Sequence, residues 1–220
     1  MAKQIMSSSN LLFFSLALVI ITFFPIPHYT SASFEEFNAL LKWKASIEIP
    51  KNSLLSSWIP LPLNSGASVP CTSWFGVVCK SDGSIEKLNL TSSRLKGTLH
   101  RFSISLLPNL VHFNLSLNNF FGPIPPEIRH LSKLVYLDFS FNKFSGVIPH
   151  EIGNLLQLTV LYLFSNNISC PIPIELKNLK SLTHLVAYNN QLSGSIASSL
   201  GDLTSLNILY LYQNQLSDSS

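Results

Sequence analysis

One period constrains this chain more than any other feature. Leu110, Leu134, Leu158, Leu182 and Leu206 recur every 24 residues, and eight residues after each stands an asparagine: Asn118, Asn142, Asn166, Asn190 and Asn214. Between leucine and asparagine lies an apolar pair spaced by one residue: Phe113/Leu115, Leu137/Phe139, Leu161/Leu163, Leu185/Ala187 and Leu209/Leu211. Beyond the asparagine most copies carry Gly-x-Ile-Pro, as in Gly122-Pro123-Ile124-Pro125 and Gly146-Val147-Ile148-Pro149. A unit this short cannot bury its apolar side alone, so it must stack on copies of itself, and the period predicts a solenoid. The apolar pair predicts a short strand with alternate side chains on opposite faces. The asparagine predicts a turn, because its amide both donates and accepts and can satisfy backbone groups inside the coil.

These columns, recurring together in register over about residues 85–220, resemble the leucine-rich repeat in its plant-type 24-residue form. The resemblance implies an α/β fold, a leucine-rich-repeat solenoid with a parallel β-sheet on the concave face. Residues 85–220 would then hold about five repeats and an incomplete sixth. The first, Ile85 to Leu99, is irregular, with Leu88-x-Leu90 as its pair and Ser93 in the asparagine column. Cys170 stands in the glycine column and reads as a small residue accepted at a tight position, the alternative being an intermolecular disulfide. Ala197 replaces the proline of another copy.

Charged residues make up 11% of the chain, with 14 Lys and Arg against 11 Asp and Glu and no basic run, which excludes a nucleic-acid footprint. Residues 1–32 read as a secretory signal peptide: Lys3, then the apolar run Leu11 to Phe24, then Pro25 and Pro27, and the small-residue cleavage site Thr30-Ser31-Ala32. An uncleaved anchor is the alternative, although the run is short for a bilayer span of about 20 residues. At the other end, Leu206 opens a sixth repeat, and Asp218 stands where glycine is expected. A closing cysteine pair, a juxtamembrane helix and a kinase sequence do not appear. The expectation is therefore a fragment or truncated product, linked to a membrane only through a missing C-terminal helix or an uncleaved anchor.

Ser33 to Ile47 reads as a helix with Phe34, Phe37, Leu40 and Leu41 on one face, opened by a Ser33-x-x-Glu36 capping box. A proline-broken segment with Trp58, Pro60, Pro62 and Pro70 follows and reads as ordered loop. Cys71 and Cys79 stand close together in a chain read as exported, and such a pair usually forms a disulfide. Zinc would need further ligands at ligand spacing, and thiol redox chemistry would need Cys-x-x-Cys; neither is present. With Leu40-Leu41-x-Trp43-Lys44 and Trp58, the run Pro70-Cys71-x-x-Trp74-x-Gly76-Val77-x-Cys79 resembles the N-terminal capping domain of plant leucine-rich-repeat receptor-like kinases. Residues 33–84 are assigned to that cap.

No nucleophile motif, phosphate loop or metal signature accompanies the histidines, so the reading is a non-enzyme without cofactors. Binding is the expected activity, and the strands locate it. Three columns are free of scaffold duty: Lys87, His112, Tyr136, Val160, His184 and Ile208; Asn89, Asn114, Asp138, Tyr162, Val186 and Tyr210; Thr91, Ser116, Ser140, Phe164, Tyr188 and Tyr212. They run from polar to aromatic along the stack, and exposed aromatics on adjacent coils mark a recognition patch. Tyr136, Asp138, Tyr162, Phe164, His184, Tyr188, Tyr210 and Tyr212 are the candidate ligand residues. An extended peptide would seat side chains between the rings while Asp138 or His184 orients it. Sequons at Asn89, Asn114 and Asn167 are candidate glycosylation sites. The family resemblance implies a ligand-sensing or co-receptor ectodomain at the outer face of the plasma membrane or in the cell wall. Its partners would be a secreted peptide or other extracellular ligand, and a second leucine-rich-repeat receptor. The alternative is a soluble cell-wall protein resembling polygalacturonase inhibitors.

Overall fold

A computed structural model describes residues 31–60 and 68–217. The expected leader lies outside them except for Ser31 and Ala32, and so does Asp218.

Two parallel sheets run the length of the stack. The concave sheet contains β2 (Ile85–Asn89), β4 (His112–Asn114), β6 (Tyr136–Asp138), β8 (Val160–Tyr162), β10 (His184–Val186) and β12 (Ile208–Tyr210), in that spatial order. One strand comes from each coil, and the register is strict: Leu88, Phe113, Leu137, Leu161, Leu185 and Leu209 are successive partners. The pair residues from Leu88 to Leu163 are fully buried, because each coil supplies the wall that the next one lacks.

A second parallel sheet forms the flank and was not anticipated. Its strands are β3 (Lys96–Gly97), β5 (Asn119–Gly122), β7 (Lys143–Gly146), β9 (Asn167–Cys170), β11 (Gln191–Ser195) and β13 (Gln215–Ser217). The residue after each ladder asparagine faces outward and, in coils two to five, the next is buried, as with Asn119 and Phe120 or Lys143 and Phe144. Four residues are too few for this alternation to stand out in the sequence. Short 3-10 turns such as Pro126–His130 and His150–Asn154 close each coil on the outer side.

The asparagines form the expected ladder, and each binds the coil before its own. Asn142 Nδ2 donates to the carbonyls of Leu115 (2.9 Å), Phe139 (3.2 Å) and Ser140 (3.1 Å), while its Oδ1 accepts the Phe120 N–H at 2.9 Å. Asn166 repeats the pattern on Phe139 and Phe144. Asn118 Oδ1 accepts both the Ser93 and the Leu95 N–H, which serves the first coil where serine has replaced asparagine.

The glycine column demands conformation rather than small size. Gly122, Gly146 and Gly194 have φ of +78°, +78° and +74°, and Cys170 is held at +68°. A Cβ at Gly122 or Gly146 would meet its nearest neighbour at 3.5 or 3.8 Å, an ordinary contact, and one at Gly194 would meet the Pro171 ring at 3.3 Å, a tighter one that asks only a small shift of that ring. The tight-fit reading of Cys170 is therefore corrected: its cost is the left-handed backbone, which an L side chain resists. Cys170→Gly is expected to raise stability by about 1 kcal/mol, read as a higher urea midpoint, and no shift would remove the strain argument.

In the cap, α1 runs over Ser31–Lys44 rather than from Ser33 to Ile47. The helix begins at Ser31, so Ser33 does not hold the N-cap position expected of it. Ser33 lies inside the helix, and the Glu36 carboxylate accepts the Ile85 N–H at 2.8 Å, across to the start of the stack. A short helix α2 (Ser68–Ser73) interrupts the segment read as loop. Cys71 and Cys79 are joined by a disulfide. Strand β1 (Val77–Cys79) pairs antiparallel with β2, so the cap extends the concave sheet by one strand. Gly76 has φ of +76°, and a Cβ there would collide with the Asn89 carbonyl. Trp58 stacks on Trp74 at 5.3 Å and Trp43 on Phe102 at 4.5 Å, while Trp43 Nε1 donates to the Thr98 carbonyl at 3.0 Å. These rings cover the leucines that the first coil would otherwise leave wet.

Candidate functional site

The concave strands place the three free columns in line. Lys87, His112, Tyr136, Val160, His184 and Ile208 are successive partners, as are Asn89, Asn114, Asp138, Tyr162, Val186 and Tyr210. The third column follows as the strands continue, through N–H to carbonyl bonds such as Leu117 to Ser140 and Phe141 to Phe164.

In the first three coils the face is closed by its own hydrogen bonds. Asn89 Oδ1 accepts the Thr91 N–H and hydroxyl, Asn114 Oδ1 accepts the Ser116 N–H at 2.8 Å, and Asp138 Oδ1 accepts the Ser140 N–H and hydroxyl at 2.9 and 2.6 Å. Tyr136 donates its hydroxyl to Asp138 Oδ2 at 3.2 Å. Asp138 is only 7% exposed, so the expectation that it orients a ligand is corrected: its carboxylate is committed to the strand turn. Asn114 is likewise buried.

From the fourth coil onward the same positions carry rings. Phe164 stacks on Tyr188 at 4.8 Å and Tyr188 on Tyr212 at 4.5 Å, with planes within 13° and 8° of parallel. Tyr162 meets Tyr136, Phe164 and His184 edge-on, and Tyr210 tilts toward Tyr212 at 6.1 Å. Nothing can seat between rings at contact distance, which corrects that part of the sequence reading. The rows offer ring edges and hydroxyls instead, on a sheet whose backbone is fixed by both neighbours. Val186 is buried between Tyr162 and Tyr210, its partners on either side. Tyr210 and Tyr212 are the most open of the set.

The electrostatics follow from packing. Burial, then the charge of Lys87, lowers the pKa of His112, which stacks on Tyr136 at 4.3 Å. Burial and the neighbouring Asp138 raise the Tyr136 phenol, and burial and Tyr212 raise that of Tyr188. The hydroxyls thus stay protonated and able to donate. His184 Nδ1 lies 2.8 Å from the Thr183 hydroxyl. Among the described residues no group of His, Cys, Asp and Glu is arranged to hold a metal.

Two residues at the rim escaped the sequence reading. Leu117 and Phe141 precede ladder asparagines, are about half exposed, and have φ of +56° and +50°. Phe141 meets Phe164 edge-on at 5.1 Å, joining the rim to the concave row. The available signal was large apolar side chains in a column that elsewhere holds Ser165, Asn189 and Gln213.

Ladder, double sheet and tryptophan-packed cap together define a leucine-rich-repeat protein. The chain belongs to the leucine-rich repeat family: residues 87–220 match its leucine-rich repeat region and residues 35–80 its N-terminal domain. It is 47% identical over 97 residues to a probable leucine-rich repeat receptor-like protein kinase of Arabidopsis thaliana, covering 44% of this chain and 8% of that protein. A chain of the Arabidopsis BIR3–SERK2 complex superposes with a TM-score of 0.69 at 35% identity, over 81% of this chain and 93% of that one. The Arabidopsis HAESA ectodomain, solved with an N-terminally extended IDA peptide hormone ligand, gives 0.64 at 27% identity, over 85% and 34%. The chain therefore spans under a tenth of that kinase.

Proposed function

We propose that this chain is the membrane-distal, ligand-sensing part of a plant receptor-like-kinase ectodomain, or serves a co-receptor in the same way. It would act at the cell surface or in the cell wall after export through the leader at residues 1–32. Its ligand is an extended secreted peptide lying across coils four to six, and a second leucine-rich-repeat ectodomain is its protein partner. The carrying observation is the Phe164–Tyr188–Tyr212 row, three rings from successive coils stacked in register along the concave face. Tyrosine suits such a surface, because it offers apolar area and a polar tip at low entropy cost. The peptide hormone bound by HAESA and the pairing of BIR3 with SERK2 support this choice of partners.

Tyr188→Ala or Tyr212→Ala is expected to weaken binding of the cognate peptide by about tenfold or more and leave folding intact; Val160→Ala should do much less. Calorimetric titration with circular dichroism as the folding control decides. Equal affinities for all three variants and the parent would move the site off this face.

Among the sequons, Asn167 is exposed on β9 and is proposed to carry the glycan, while Asn89 and Asn114 are occupied in strand turns. Glycosidase treatment of the secreted chain should remove the mass of one glycan. Release of three would undo this placement.

A further inference from the structure

The outward residues of the flank sheet divide into two unlike halves. In coils four to six they are uncharged and polar: Ser165, Asn167 and Ser169, then Asn189, Gln191 and Ser193, then Gln213, Gln215 and Ser217. In coils one to three the same columns hold Arg94, Lys96, Leu117, Phe121, Phe141 and Lys143, all exposed, beside Ser92, Asn119 and Ser145. Phe121 and Lys143 are direct partners across β5 and β7. Lys96 is paired with Glu48 at 2.9 Å, but among the described residues Arg94 and Lys143 have no acidic partner. A shallow cleft of about 290 Å³ bounded by Ile49, Pro50, Arg94, Asn119 and the Glu48–Lys96 pair opens at the cap end of this island.

Two features separate the island from scattered surface hydrophobics. Leu117 and Phe141 hold left-handed backbone, where a bulky side chain is costly, and they are about half exposed at that cost. Other coils place serine, asparagine or glutamine there, so the solenoid does not require the apolar groups. The island is also continuous with the concave row through the Phe141–Phe164 contact.

We infer that the flank of coils one to three is a second protein-binding surface, and that it takes an acidic, apolar polypeptide segment. Carboxylates of the segment pair with Arg94 and Lys143, and its apolar side chains cover Leu117, Phe121 and Phe141. Charge complementarity selects the sign of the partner, and the apolar residues select a polypeptide over a simple polyanion. The inference stands apart from the concave reading, and its variants touch none of the tyrosines.

The test uses the full secreted chain and three synthetic peptides. One alternates glutamate with leucine and phenylalanine, one has lysine for glutamate, and one has serine for the apolar residues. Fluorescence anisotropy should show the first bound about tenfold more tightly than either of the others, and less tightly as salt rises. Lys143→Glu and Phe141→Asn should each lower that affinity about tenfold, while Gln215→Ala, on the same sheet in coil six, leaves it unchanged. Phe141→Asn is chosen because asparagine accepts the left-handed backbone, so loss of binding cannot be assigned to misfolding. Equal binding of the acidic and basic peptides would overturn the inference. So would dextran sulfate binding as tightly as the acidic peptide, with no effect of Phe141→Asn.

Discussion

Asn142→Leu should destabilise the stack by about 3 kcal/mol although leucine is near in volume and the site is buried. The substitution leaves the Phe120 N–H without an acceptor inside the protein, a loss of about 1–3 kcal/mol, and removes three amide-to-carbonyl bonds worth about 1 kcal/mol or less each. The three carbonyls retain other donors, among them Asn118 on Leu115 and Asn166 on Phe139, which limits the total. Asn214→Leu should be milder, at about 1 kcal/mol, because its bonds lie in partly exposed surroundings where water replaces them. Urea unfolding of the secreted chain measures both. Equal midpoint shifts would mean that burial does not set the value of the ladder.

The second large effect is a stability that rises on acidification, set by Glu36. This side chain is 1% exposed beneath the cap; one oxygen accepts the Ile85 N–H and Oε1 has no partner among the described residues. Burial is the chief cause that pushes its pKa up to about 7, and the nearby Asp82 charge adds to it. Between pH 4.5 and about 7 the folded state therefore keeps a proton that the unfolded chain has released. Stability falls as pH rises through that window and is flat above it, a change of up to about 3 kcal/mol. Asp82 is held low by hydrogen bonds from Ser84 and titrates below the window, so it does not mask the effect. Glu36→Gln keeps an acceptor for Ile85 and removes the titration. The parent should unfold at higher urea at pH 5 than at pH 7.5, and the variant should show little difference from this source. A parent with the same midpoint at both values would refute the assignment.

The repeat, its handed-down register and the asparagine ladder were legible in the sequence, because each rests on a side chain recurring at a fixed interval and facing an identical neighbour. Phe113, Leu137 and Leu161 could be placed in one buried column from spacing alone, and the polar-to-aromatic change along the concave face could be read from the same columns. Periodicity says where a column lies but not what its members do to each other. Only the fold showed that Asp138 spends its carboxylate on Ser140 and Tyr136, since that depends on a strand turn. Ring contact between Phe164, Tyr188 and Tyr212 likewise depends on rotamers that the spacing leaves open. Glu36 read as a local cap and proved to be a contact across 49 residues, because a helix packed against a sheet can satisfy a distant backbone N–H as readily as its own. The flank sheet stayed hidden for the opposite reason. Its strands are four residues or so, too short to print a period, and Phe141 joins the concave row only once the chain has turned through a left-handed residue.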